Sequence, residues 1–268
     1  MQILYLIASS QKKPWKALIV AQKKTWVKSL PNNHKALFLF GNGVLGGGSD
    51  EYVALHEVNR PPKDIGVALS SISKTENGSD LFFDSLEGWE QLLSNTLSGM
   101  AHVLDNYHFD YIIRTNNSTF INPKKLEQAL SSLSGFRIYA GPEYSHQGIK
   151  YVGGYSIILS KDVVHELVQG VSRIQSRIID DVSIGIALKE LGVEITTLPD
   201  IPWLRIRDLY KFSQKINGAY RDAYAFRCKS ELNFPSRFIA RRLRINPITI
   251  RLDKIILYSL SRLVNKNN

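Results

Sequence analysis

The sequence predicts an α/β fold, and three observations carry that expectation. Short apolar runs rich in β-branched and aromatic residues recur along the chain, bounded by polar or glycine-containing segments. Between them lie longer stretches whose apolar residues return at helical spacing, and strands alternating with helices imply an α/β sheet. The 268 residues, 44% hydrophobic and 22% charged, are ordinary for a globular protein and long enough to bury a substantial core.

The elements follow in order. Ile3 to Ala8 is a first strand, and Lys16 to Leu30 a helix with Leu18, Ile19, Ala21 and Trp26 partly on one face. Lys35 to Phe40 is a second strand. Gly41-Asn42-Gly43-Val44-Leu45-Gly46 then spells a G-x-G-x-x-G, but Gly47, Gly48 and Ser49 follow where a dinucleotide-binding helix would open, so it reads as a flexible loop. Asp64 to Ile72 reads as a strand. Ser85 to Tyr107 is a helix whose Leu93, Leu97, Met100 and Leu104 share a face, and it leads into a strand at Phe109 to Ile113. Pro123 opens a short helix over Lys124 to Leu133. Arg137 to Ala140 and Tyr151 to Leu159 are strands, and Val163 to Val171 is a helix. Asp181 to Leu191 is a helix ending at Gly192, and Val193 to Leu198 is the last strand.

Composition narrows the setting. One cysteine, Cys228, excludes an internal disulfide and agrees with a reducing compartment. Met1 to Ser10 lacks the basic leading segment and small-residue cleavage site of a signal peptide. No apolar run approaches the roughly 18 residues needed to span a bilayer. The net charge of +10 is placed unevenly: residues 201–268 hold 15 Lys and Arg against 4 Asp and Glu. Phe234, Phe238, Ile239, Leu243 and Ile245 interleave there with Arg237, Arg241, Arg242 and Arg244, and Ile255, Ile256, Leu257 and Leu260 follow. Such a surface can lie on anionic lipid, or the segment can be a packing helix that covers the sheet. Nucleic acid is not expected, because no recognised binding motif accompanies the basic residues.

The most informative stretch runs from Tyr111 to Asn122, YIIRTNNSTFIN. A buried strand runs into small polar residues, and polar groups at the end of a central α/β strand face the crevice where such sheets bind ligands. The stretch resembles the Tyr-Ile-Leu-Lys-Thr-Asp-Asp-Asp-Val-Phe-Val-Asn signature of the Fringe and β1,3-galactosyltransferase family. Three further segments resemble that family in the same order. They are Gly88 to Leu97, Tyr151 to Ser160 (YVGGYSIILS) and Asp180-Asp181-Val182-Ser183-Ile184-Gly185, the last matching Glu-Asp-Val-x-x-Gly. Thr25-Trp26 matches an early Thr-Trp. The resemblance covers about residues 15–200.

The resemblance implies a GT-A-type, Rossmann-like mixed sheet flanked by helices over residues 1–200. Residues 201–268 would form a basic C-terminal helical extension that closes the site and meets the membrane. It implies an inverting glycosyltransferase that moves a sugar from a nucleotide-sugar, with UDP the expected nucleotide, to a hydroxyl of a glycan or lipid-linked glycan. The expected setting is bacterial surface polysaccharide synthesis. Secretory-pathway members carry a membrane anchor ahead of the domain, whereas this chain starts at its first strand, which fits a cytoplasmic enzyme, peripheral at most. By resemblance the second acid of the Glu-Asp-Val segment is the catalytic base, which places that role on Asp181. Adjacent acids at a helix start also suit it physically, although a bare N-cap is the alternative. Gly153, Gly154, Tyr155 and Asp180 would lie beside the acceptor or the transferred sugar. Glycine in a strand admits close approach, and Tyr155 suits the core at least as well.

The departures are as telling as the matches. Asn116, Asn117 and Ser118 replace an acidic triplet that in the family holds a divalent metal against the diphosphate, and no histidine follows His165. Hard cations such as magnesium or manganese prefer anionic oxygen ligands, so no cofactor and no metal ligand is expected. Ser9, Arg114, Asn116, Asn117 and Ser118 would then bind the donor, with Arg205 and Arg207 supplying positive charge to its phosphates. The alternative is a catalytically inactive binding module that keeps the fold. His146 is a weak acceptor-facing candidate, and the glycosylation sequons at Asn77, Asn116 and Asn117 are read as coincidence.

Overall fold

The computed structural model describes residues 1–12, 15–43, 74–86, 89–146, 148–170, 174, 179–204, 223–228, 231–234, 248–251 and 253–266. The expected strand at Asp64 to Ile72, the second half of the glycine-rich segment, Arg205 and Arg207 all lie outside these residues.

An eight-stranded mixed sheet forms the centre. Its strands are β1 (Ile3–Ala8), β2 (His34–Gly43), β3 (Lys74–Asn77), β4 (Asp80–Leu86), β5 (Tyr111–Asn116), β7 (Tyr139–Gly141), β10 (Ile157–Ser160) and β11 (Ile195–Thr197). They lie in the order β11-β7-β10-β5-β1-β2-β4-β3. Strand β1 is parallel to β2 on one side and to β5 on the other, with Ala8 opposite Leu39 and Asn116. The chain first builds outward from β1 through β2 and β4, then returns to place β5 on the opposite flank of β1. That reversal is the topological switch point of the sheet, where the carboxyl ends of β1 and β5 diverge and leave a crevice.

The central strands β1 and β2 and the first half of β5 are mostly apolar because both faces are covered there. Ile3, Tyr5, Ile7, Tyr111 and Ile113 point into one core, beside α1 (Trp15–Lys24), α3 (Pro123–Leu130) and α6 (Asp253–Lys266). Leu4, Leu6 and Ile112 point into the other, beside α2 (Trp89–Asn106), α4 (Lys161–Gln169) and α5 (Asp180–Glu190). Thus the period-two alternation of each strand is read by two separate helical layers. Asn122 caps α3, its Oδ1 accepting from the Lys125 N–H at 3.3 Å ahead of Pro123 at the first helical position.

Several boundaries differ from expectation, each for a local reason. The first helix stops at Lys24 and continues only as a 3₁₀ turn at Val27–Ser29, with Thr25 Oγ1 donating back to the Ala21 carbonyl at 2.7 Å. Gly41 to Gly43, expected as loop, ends β2 and pairs with β4 across a register irregularity, since glycine tolerates a bulge. Ser85 and Leu86 belong to the β3–β4 hairpin and not to the helix, because β4 extends the sheet beside β2. The run Tyr151 to Leu159 is two strands, with β9 (Ile149–Val152) and β10 separated by a turn at 153–156. The Gly153-Gly154 pair makes that turn, closed by the Ser156 N–H on the Gly153 carbonyl at 3.0 Å. Strand β9 pairs instead with β8 (Glu143–His146), as a ribbon separate from the main sheet.

The last strand is not at Leu198. A three-stranded sheet joins β12 (Asp200–Leu204), β13 (Ala225–Cys228) and β6 (Thr119–Ile121), and β14 (Glu231–Phe234) pairs with β15 (Ile248–Arg251). The basic tail is therefore helical at α6 but contributes strands before it. Ile256, Leu257 and Leu260 are buried in the α1-side core, as a packing helix requires, while Ile255 is exposed. Among the described residues no helix is long and apolar enough to cross a membrane.

Candidate active site

Strand β5 delivers Arg114, Thr115 and Asn116 to the crevice edge in succession. The turn at 153–156 reaches the same edge, because β10 runs antiparallel to β5 with Ile157 opposite Arg114. Helix α5 brings its first turn, Asp180 and Asp181, to the same place. Its approach depends on Gly185: a Cβ there would lie 2.6 Å from Tyr151 Cβ, so only glycine lets the helix rest on β9.

These elements meet at one group of side chains. Arg114 is 2% exposed, its guanidinium paired with Asp180 and donating from Nη1 to the Gly154 carbonyl. Asp181 Oδ2 accepts from the Gly154 N–H at 2.8 Å, and its Oδ1 from the Val182 N–H at 2.9 Å. Thr115 Oγ1 donates to the Tyr155 carbonyl at 2.6 Å, tying the turn to β5 from the neighbouring position. Burial raises both aspartate pKa values above the ordinary carboxylate range, although Arg114 opposes the rise at each and the Gly154 N–H opposes it at Asp181. Asp181 is partly exposed as a residue, while Asp180 is only 5% exposed.

Of the expected donor residues, Ser9, Arg114, Asn116, Asn117 and Ser118 lie near the ends of β1 and β5, while Arg205 and Arg207 lie outside the described residues. Ser9 follows β1 directly beside the end of β5, its Oγ donating to the Ile7 carbonyl at 2.8 Å. Asn116 Oδ1 accepts three hydrogen bonds, from the Ser118 N–H (3.2 Å), Ser118 Oγ (3.0 Å) and Thr119 Oγ1 (2.8 Å). Asn117 and Ser118 are buried, and the Ser118 carbonyl accepts from the Cys228 N–H at 2.8 Å. A divalent metal does not fit here: the Asn116 oxygen already serves three donors, and neither neighbour is anionic. Among the described residues no three His, Cys, Asp or Glu side chains come together as a metal would need.

Of the expected acceptor residues, Gly154 joins the aspartate group, and Asp180 faces Arg114. Gly153 lies under Tyr144, whose ring would meet a Cβ there at 2.7 Å. Tyr155 is 2% exposed and donates its hydroxyl to Asp200, so it is a core aromatic and offers no open face to a sugar. Trp26 of the early Thr-Trp pair is likewise core. His146 sits in the β8–β9 ribbon.

Five participants were not legible in the sequence. Asp200 holds Tyr155, and burial raises its pKa against the pull of the tyrosine hydroxyl. Arg227, on β13, lies with its guanidinium carbon 5.4 Å from the Tyr155 ring centroid. Tyr144 and Tyr151 face each other across β8 and β9 with ring centroids 6.1 Å apart. Gln22, fully buried on α1, donates from Nε2 to the carbonyls of Asn116 (3.0 Å) and Thr119 (2.8 Å). A glutamine on an otherwise apolar helix face was the one available signal.

Comparison with known proteins gives little beyond this geometry. No protein-family model matches the chain, and no curated protein matches it. Among solved structures, the chain is similar to a galactosyltransferase, LgtC, in complex with donor and acceptor sugar analogs. That similarity has a TM-score of 0.40 and 10% identity, and covers 85% of this chain and 86% of the other.

Proposed function

We propose that this chain is an inverting glycosyltransferase of GT-A type, taking a nucleotide-sugar, with UDP as the expected nucleotide, and a glycan hydroxyl as acceptor. One observation carries the reading: the Asp181 carboxylate, fixed by the Gly154 N–H on a partly exposed residue, stands beside the crevice at the end of β5. A raised pKa suits a general base, which must be deprotonated at working pH yet basic enough to take a proton. In the step proposed, Asp181 removes the acceptor hydroxyl proton as that oxygen attacks the anomeric carbon from the face opposite the diphosphate. The bond to the diphosphate breaks, and the leaving group departs with the electron pair. Ser9 and the 116–118 segment would receive the nucleotide, through backbone groups and neutral hydrogen bonds.

The reaction proposed uses no metal, because the Asn116, Asn117 and Ser118 side chains carry no anionic oxygen. The basic residues beyond β12, Arg205 and Arg207 among them, would neutralise the diphosphate, residues 201–268 would close the site, and their charge would hold the protein to an anionic membrane carrying a lipid-linked acceptor. Synthesis of a bacterial surface polysaccharide on the inner face of the membrane is the corresponding role. A second reading, an inactive binding module, draws on the inward-turned Asn116 carboxamide. One experiment separates the two. The purified protein is incubated with a panel of nucleotide-sugars, and thermal shift and donor hydrolysis are measured. Stabilisation by UDP-sugars with hydrolysis supports the transferase, stabilisation without turnover on any acceptor supports the binding module, and no stabilisation by any nucleotide-sugar rejects both.

A further inference from the structure

Three separate elements close a ring of bonds around Gly154. The Arg114 guanidinium from β5 takes the Gly154 carbonyl with one amino group and Asp180 with the other. The Gly154 N–H donates to Asp181, the residue after Asp180 on α5. The ring therefore runs from Arg114 through Asp180 and Asp181 to the two sides of a single glycine and back. It leaves no spare volume: a Cβ on Gly154 would lie 2.8 Å from Arg114 Nη1 and 3.1 Å from Asp181 Oδ2. A guanidinium enclosed in this way cannot also hold a diphosphate without breaking the ring. Its flat fork holds a carbonyl and a carboxylate in fixed relation, which an ammonium group does less well.

We propose that Arg114 is a positioning residue, which acts with Gly154 to fix the orientation of the Asp181 carboxylate and keep it ionised, and is not a donor ligand; this deepens the transferase reading and rests on it. Among the described residues, the charged and titratable groups around Asp181 are Asp180 on its own helix, Arg114 from β5, Arg227 from β13, Tyr151 from β9 and Tyr139 from β7. Removing the Arg114 charge leaves Arg227, among the described residues, as the cation acting on Asp181, with Asp180 adjacent. Neighbouring carboxylates short of positive charge retain a proton to higher pH. The base would then be protonated at the pH where it has to work, and free to rotate.

The test compares Arg114→Met, Arg114→Lys and Gly154→Ala with the wild type in two measurements. The first is the titration of Asp181 by carbon-detected NMR on aspartate-labelled protein without substrate, with its signal assigned by Asp181→Asn. The second is steady-state transfer from the best nucleotide-sugar. In Arg114→Met the Asp181 midpoint rises by about one pH unit or more, as loss of an opposite charge within contact range predicts. Its kcat falls about 100-fold while the donor KM changes by less than about threefold, the pattern of a group acting on the chemical step. Arg114→Lys keeps the midpoint within about half a unit of wild type, because the charge remains. Gly154→Ala, with Arg114 present, lowers kcat about tenfold or more by shifting the carboxylate, at unchanged donor KM. A donor KM raised about tenfold in Arg114→Met with kcat and midpoint unchanged makes Arg114 a donor ligand and overturns the proposal. If Arg114→Met fails to fold, Gly154→Ala decides, since a wild-type kcat and midpoint there equally overturns it. The titration needs no turnover, so a shifted midpoint in a protein that transfers no sugar keeps the ring and rejects the transferase.

Discussion

Replacing Asp181 by asparagine separates catalysis from folding, because the structure gives opposing effects on stability and a single effect on chemistry. The carboxylate accepts from two backbone N–H groups, at Gly154 and Val182. An asparagine offers one oxygen, so one of these bonds is lost at about 1 kcal/mol, more if the donor stays dry. The raised pKa of Asp181 works the other way: the fold disfavours the charge, and a neutral side chain relieves that cost. The two effects oppose each other, so the melting temperature should move by no more than about 2–4 °C in either direction. Turnover has no compensation. Loss of a general base costs about 10²–10⁴ in kcat, or roughly 3–5 kcal/mol of activation energy. The assay is sugar transfer under single-turnover conditions, with donor affinity measured separately by calorimetry. Donor binding within about threefold of wild type and kcat lowered at least about 100-fold is the expected result. Near wild-type turnover in Asp181→Asn refutes the assignment of the base, and loss of donor binding together with turnover refutes its placement on the acceptor side.

Three other outcomes are expected. Gly185→Ala puts a Cβ 2.6 Å from Tyr151 Cβ, so α5 must lift from β9; overpacking of this kind costs about 1–3 kcal/mol, visible as a lower denaturant midpoint, and transfer should fall with it. His34, held between the Tyr5 hydroxyl (3.1 Å) and Glu127 (3.0 Å), has its pKa lowered by burial against the pull of Glu127. The unfolded chain then takes up the proton more readily, so stability is lost as the pH falls through about 6.5, and His34→Gln should flatten the melting temperature between pH 8 and 5.5. Transfer should be unchanged in excess chelator and strongly reduced in Arg205→Ala or Arg207→Ala; activity abolished by chelator and restored by manganese rejects the neutral donor site.

The strands at Ile3 to Ala8 and Tyr111 to Ile113 were legible because each is a short apolar run rich in β-branched and aromatic residues. The helix from Trp89 was equally so, since its apolar residues recur at helical spacing and enter one core. What stayed hidden depends on contacts between distant segments. Nothing local marks Ala225–Cys228 as the strand between β12 and β6, because one of its partners, Thr119–Ile121, lies about a hundred residues earlier in the chain. The Gly153-Gly154 pair signalled close approach correctly, but within a turn and not a strand, and what approaches is the chain's own Arg114 and Asp181. Arg114 looks like a phosphate ligand in one dimension; only the fold shows it enclosed. The polar triplet after β5 drew attention for its lost charges, while the groups that hold it, Gln22 and Cys228, lie about a hundred residues away in either direction.

Gln22 has a thermodynamic implication for how a ligand would be received. Its amide grips the carbonyls on both sides of the 117–118 corner, and β13 secures the same corner from behind. A corner already held in this way has little freedom left to surrender when a nucleotide arrives. Association at this face should resemble a key entering a finished lock: fast, with little change in heat capacity beyond that of the buried base, and with an unfavourable ordering entropy smaller than that of a segment that folds around its guest. Gln22→Ala, which frees both carbonyls, should slow arrival and make the entropy of binding more unfavourable, while the contacts made in the final complex stay the same.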